Sequence, residues 1–183
     1  MMTFKRYFVI FTIFALTLSS VSFFSVSAQN NTITSQQAEQ IRSNCVSTKN
    51  TLNQLHASDA LLRVNRGQVY ESILTKLMDR FNGRLSNKNI NNSDFISITD
   101  KYSSMLDSFR ADYQTYEEHL SIALNVDCSS NPTEFYNAVA SARTKRDQVH
   151  TDVVKLNQFL DQYQLALNQF EKDYQTAAKE VIN

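Results

Sequence analysis

From Phe135 to Val181 the residues that read as one face recur at alternating steps of four and three without a slip. They are Phe135, Val139, Ala142, Arg146, Val149, Val153, Leu156, Leu160, Tyr163, Leu167, Phe170, Tyr174, Ala177 and Val181. Only Arg146 is not apolar. This is the heptad seam of a helix that packs lengthwise against other helices, and a seam this long needs partners along its length. Its start is marked as clearly as its course. Asn131 can cap, Pro132 takes the first helical position and Glu134 the third, all of which suit a helix N-terminus.

Two further stretches carry the same period. After Ser35, a possible cap, the face runs Ile41, Cys45, Thr48, Leu52, Leu55, Leu62, Val69, Ile73, Leu77, Phe81 and Leu85, with Asp59 and Arg66 filling the two missing places. SNKNINN (86–92) has no period and reads as a loop. Ser93 and Asp94 then open a face of Phe95, Ile98, Tyr102, Met105, Phe109, Tyr116, Leu120 and Ala123, which stops at DCSSNP (127–132). With two glycines and one proline in the chain, there is little turn chemistry for a β fold and no glycine loop for an α/β enzyme. The expectation is an all-α fold: an elongated antiparallel three-helix bundle, up-down-up, with coiled-coil-like packing and helices at about 35–85, 94–126 and 132–180.

The first 28 residues stand apart. Lys5 and Arg6 precede an apolar stretch from Tyr7 to Phe24, and Val26-Ser27-Ala28 supplies small residues before Gln29. This reads as a signal peptide, followed by a disordered polar leader over 29–34 and the bundle over 35–183. The expectation is an exported protein, secreted or extracytoplasmic, which touches a membrane only if that segment is retained as an anchor. Without Lys5 and Arg6 the 18 basic residues become 16 against 18 acidic ones. A chain so close to neutral offers no electrostatic footprint for nucleic acid.

A tight 86–92 loop would set residue 84 beside residue 94, so that neighbours on the first two helices sum to about 178. Cys128 then lies about one turn from Cys45. In an exported chain with no other cysteine, a Cys45–Cys128 disulfide is the expectation, two free thiols or an intermolecular bridge being the alternatives. The same alignment gathers Asp59, Arg63, Arg66, Asp112, Tyr116, Glu117 and Arg146 within about two turns. Such a polar layer fixes register in a bundle, with Gly67 admitting a neighbouring side chain; it can also hold a small polar or anionic ligand. Residues 63–88 carry six basic and two acidic groups and residues 94–127 seven acidic and two basic, which suggests two helices with facing complementary charge.

Catalytic signatures are missing. The three histidines, His56, His119 and His150, form no Glu-x-x-His or HExxH pattern, and Gly67 and Gly83 are too far apart for a nucleophile elbow or a phosphate loop. Neither an enzyme nor a metal or other cofactor is expected. One feature points outward. The third helix should outrun the other two, leaving Phe170, Tyr174, Ala177 and Val181 as a surface for another protein or for self-association.

The runs LLRVNRGQVYESILTKLMDRFNGR, FRADYQTYEEHLSIAL and CSSNPTEFYNAVASARTKRDQVH resemble uncharacterised exported helical proteins of Saccharibacteria-type bacteria. The resemblance covers most of residues 40–170 and implies a bacterial envelope or secreted setting, with no activity attached. The layout also resembles the helical arms of periplasmic holdase chaperones, without the strands of their oligomer core. The expected function is therefore an exported structural or protein-binding helical module, with ligand carriage at the arginine layer or holdase activity as alternatives.

Overall fold

The computed structural model describes residues 32–182, and their side chains as far as Lys179. The expected signal peptide over 1–28 and residues 29–31 of the leader lie outside the described residues. Within them every regular element is helical: α1 (Ser35–Ser43), α2 (Cys45–Ser72), a π-helical turn (Ile73–Met78), α3 (Asp79–Asn87), α4 (Ser93–Asn125) and α5 (Pro132–Ile182). No described helix is long and apolar enough to cross a membrane.

The expected first helix is divided twice. Thr34, not Ser35, caps α1: its hydroxyl accepts from the Gln37 N–H at 3.2 Å, and the Gln37 side chain accepts from the Thr34 N–H at 2.8 Å. That reciprocal pair satisfies two of the free donors at the helix start. Asn44 then leaves helical geometry at φ −102°, ψ 9°, immediately before Cys45. The second interruption is the π turn, which takes up an extra residue without breaking the rod. Tyr70 and Met78, eight residues apart, are both buried, and the next buried apolar position, Leu85, follows after seven. The expected seam through Leu62, Val69 and Leu77 is therefore corrected. Those three are about half exposed, and Tyr70 and Met78, one residue further on from Val69 and Leu77, take the core places.

Helix α3 ends in a Schellman motif. The N–H groups of Asn89 and Ile90 donate to the carbonyls of Ser86 and Leu85 at 3.0 Å each, and Asn89 adopts φ 55°. Asparagine tolerates the left-handed region better than most side chains, so it can close a helix where glycine is commonest.

Helix α4 is the axis of the packing. Phe95, Thr99, Tyr102, Leu106, Phe109, Tyr113, Tyr116, Leu120 and Ala123 are all buried, again at steps of four and three. The expected face differs at three places: Thr99 and Leu106 are buried where Ile98 and Met105 are expected, and Tyr113 joins the core. Hydropathy favours the wrong member of the first pair, because Thr99 is buried as a hydrogen-bonding group. Against α4, residue numbers on α2 and α3 fall as those on α4 rise: Asn82 meets Thr99, Glu71 meets Arg110, and Arg63 and Asp59 meet the adjacent Glu117 and Tyr116. Cys45 closes the series with Cys128, their Cα atoms 5.5 Å apart.

Aromatic side chains fill much of this core. Tyr102, Tyr116 and Tyr163 are its largest fully buried residues. Phe95 meets Phe81, Tyr163 and Phe170 edge-on at 5.2, 5.2 and 6.0 Å, contacts worth about 0.5–1.5 kcal/mol each beyond burial. Phe170 is thus half-buried against the core, which corrects its expected place on an open partner surface.

Candidate functional site: a polar bridge and the cleft beside it

Asp59 follows Cys45 by fourteen residues, four helical turns, and so returns to the same inward face of α2. It is a buried carboxylate, and each contact it makes answers the cost of that burial. Its Oδ2 accepts from the Tyr116 hydroxyl of α4 and from Nε of Arg146 on α5, both at 2.8 Å, while Oδ1 accepts from Arg146 Nη2 at 3.2 Å. Burial alone would push the Asp59 carboxyl up. The hydrogen bonds from Arg146 and Tyr116, with the arginine charge, outweigh it and hold the group below the usual carboxylate range. Tyr116 is pushed the other way, by burial first and then by its bond to Asp59. One residue from each of α2, α4 and α5 meets here.

Arg63 lies beside this triad. It pairs with Glu117 at 2.9 Å, and its guanidinium sits 4.9 Å from the centre of the Tyr113 ring. Burial, followed by the charges of Glu117 and Asp59, raises the Tyr113 hydroxyl to about 12.

The seven residues expected in one layer are therefore sorted. Asp59, Tyr116 and Arg146 form a triad, with Arg63 and Glu117 as a neighbouring pair. Arg66 is exposed with no carboxylate partner among the described residues. Asp112 serves neither arginine; its partner is Asp152 of α5. The expectation of a buried arginine layer is corrected as well: the Arg146 side chain is 51% exposed against 10% for Asp59. Gly67 admits no neighbour, since a Cβ built there would meet nothing within 4 Å. The facing charges are also fewer than expected, because among the described residues only Arg63–Glu117 and Glu71–Arg110 join α2 to α4.

Two buried polar groups carry no mark that the sequence pattern could reveal directly. Asn82 donates to Thr99 at 2.8 Å and accepts from the Tyr163 hydroxyl at 3.0 Å, a second three-helix junction. Tyr163 at a seam position was the available signal, since a buried phenol needs a partner. The other is Asp152, 4% exposed, one residue off the seam and without a sequence signal. Burial, then the hydrogen bond and charge of Asp112, raise its carboxyl to about 6.

The Asp59–Arg146 bridge spans a groove between α2 and α5. On one side lies a cleft of about 570 Å³, lined by Leu62, Arg63 and Arg66 of α2, by Asp147, Val149, His150 and Val153 of α5, and floored by Phe109 and Tyr113. On the other is a smaller space of about 150 Å³ among Leu52, Leu55, Leu120, Val139 and Ala142. The half-exposed Leu62 lines the larger cleft.

His119 Nδ1 lies 3.0 Å from the Ser141 hydroxyl, and the described residues contain no cluster of three metal-ligating side chains. Residues 171–179 are exposed, and Tyr174, 65% exposed, stacks on Phe170 at 6.4 Å. Ala177 is on this open stretch; the side chain of Val181 lies outside the described residues. No protein-family model, curated protein or solved structure matches the chain.

Proposed function

We propose that this chain is an exported structural or protein-binding module of the cell envelope, acting without catalysis, and built as an elongated antiparallel three-helix bundle with coiled-coil-like packing. The up-down-up reading draws its support from the descending pairs between α2–α3 and α4, and from the ascending pairs Asp59–Arg146 and Asn82–Tyr163 between α2–α3 and α5. The proposal of export rests on the N-terminal apolar segment, the resemblance to exported bacterial proteins and the Cys45–Cys128 bond.

The observation that carries the partner-binding role is the exposed run of α5. Nine consecutive exposed residues, 171–179, continue a helix past the end of its core, with Tyr174 at the junction. Helix faces of this kind engage a second helix through residues at seam spacing. The test is photo-crosslinking in the native cell from a probe at Tyr174. A crosslink to another protein or to a second copy is expected; no crosslink from Tyr174 or Ala177 overturns the reading.

A second reading, carriage of a small ligand between α2 and α5, is favoured by one observation. The cleft beside Arg146 has the size of ligand pockets, which run from about 300 to 1,000 Å³, and mixes apolar walls with cations.

A further inference from the structure

The cleft's lining discriminates among ligands, and naming its occupant rests on the ligand-carriage reading. Its walls are apolar along Leu62, Val149 and Val153, over the rings of Phe109 and Tyr113. The ionic groups around it divide into those already engaged and those that are not. Asp59 accepts three hydrogen bonds from Tyr116 and Arg146, and Arg63 is held by Glu117 and by the face of Tyr113. Arg66 has no carboxylate partner among the described residues, and Arg146 uses only Nε and Nη2 on Asp59, keeping Nη1. Among the described lining residues Asp147 is the one carboxylate not engaged, and His150 lies three residues beyond it.

We propose that this cleft binds a small amphipathic acid, with a carboxylate head at Arg66 and the free edge of Arg146 and an apolar tail along Leu62, Val149 and Val153. A guanidinium donates to a carboxylate through two parallel N–H groups, so an unengaged arginine at the rim of an apolar cleft selects that head over an alcohol or an amine. The walls select against a purely polar anion, which would lose its own hydration against them without hydrogen bonds in return. Arg66 is the anchoring residue. It takes part in none of the contacts that join the helices, so replacing it leaves the fold intact.

The experiment is calorimetric titration of the disulfide-bonded protein with decanoate, decanol and inorganic phosphate, repeated on Arg66→Glu after thermal unfolding has shown that the variant is folded. Saturable one-to-one binding of decanoate is expected, at least ten-fold weaker for decanol and at least ten-fold weaker for decanoate in Arg66→Glu. Leu62→Asp, a second exposed substitution, should weaken decanoate by a similar factor. Equal binding of decanol and decanoate, unmoved by Arg66→Glu, overturns the acid while keeping a ligand in the cleft. Binding of phosphate without decanoate overturns the apolar tail. If none of the three probes binds, the proposal and the ligand reading fall together.

Discussion

Arg146 holds Asp59 through two nitrogens, Nε at 2.8 Å and Nη2 at 3.2 Å, yet the two residues live in different solvents. The carboxylate is buried with the Tyr116 hydroxyl on it, and the guanidinium is half in water. The pair therefore joins α2 to α5 at the cost of desolvating one charge, not two. A fully buried pair often contributes nothing net, because both ions lose hydration.

This asymmetry predicts an order of effects. Arg146→Ala leaves Asp59 buried with a charge and one hydrogen bond, and is expected to cost about 2–4 kcal/mol at pH 7. Tyr116→Phe removes one charge-assisted bond and should cost about 1.5–3 kcal/mol. Asp59 has a folded pKa below its ordinary 3.8, so its contribution is present above about pH 4 and lost as pH falls through the lowered value. Chemical denaturation of the parent and Arg146→Ala at pH 7 and pH 3 checks this. The gap between them should shrink in acid; an unchanged gap would mean that the Asp59 charge is not what Arg146 stabilises.

Asp152 works with the opposite sign. Its carboxyl is raised to about 6, by burial first and by Asp112 next, with Lys155 opposing. Its protonated form thus contributes stability that is complete below about pH 4 and lost as pH rises through about 6. Asp152→Asn keeps the shape and gives Asp112 a permanent donor. The variant should match the parent near pH 4 and exceed it by something on the order of 2 kcal/mol at pH 8. Equal stability at both values would mean that the two carboxyls do not share a proton. Taken together, the contributions of Asp59 and Asp152 are greatest near pH 4.

What could be read from the sequence depended on which signal placed a residue. The α5 seam was legible because apolar spacing alone sets it, and Cys45 with Cys128 because two cysteines about one turn apart in the helix alignment leave few choices. Met78 and Tyr70 were not, since the π turn adds one residue that no local sequence rule announces, and Val69 and Leu77 fit the period equally well. Thr99 and Asn82 were passed over for a different reason: hydropathy discards polar residues, and a buried junction consists of them. At the site, Asp59, Tyr116 and Arg146 were gathered by register. A ligand space at that layer was one of two readings, but its size and apolar walls were not legible, because register says which residues are level and nothing about how far α2 stands from α5.

The two backbone specialists should respond in opposite ways. A Cβ at Gly67 meets nothing within 4 Å, and the residue is helical without positive φ, so Gly67→Ala recovers helix propensity without a clash. It should stabilise by about 0.5–1 kcal/mol. Asn89 has φ 55°, where a β-branched side chain is strained. Asn89→Val should cost about 1–2 kcal/mol and Asn89→Gly should cost nothing. Thermal unfolding of the three variants decides it, and a destabilised Gly67→Ala would restore the close approach that its sequence setting suggested.

The disulfide supplies the last prediction. Cys45 and Cys128 close a loop with a sequence separation of 83, for which the chain-entropy model gives about 4.5 kcal/mol. That loop contains α2, α3 and α4 but not α5, so the bond restrains the unfolded chain chiefly in those helices. Its own surroundings are a small cluster of Val126 and Phe135 with Ile41, Leu52, Ala138 and Val139 around it, remote from the aromatic cluster of Phe95, Phe109 and Tyr163. Reduction should therefore free the α1 end first. Hydrogen exchange on the reduced protein is expected to show lost protection in residues 35–55 and 120–135 while the Phe95–Tyr163 region stays protected. Uniform loss along α4 would mean that the disulfide and the aromatic core open as one cooperative unit, and that no part of the chain stands without the bond.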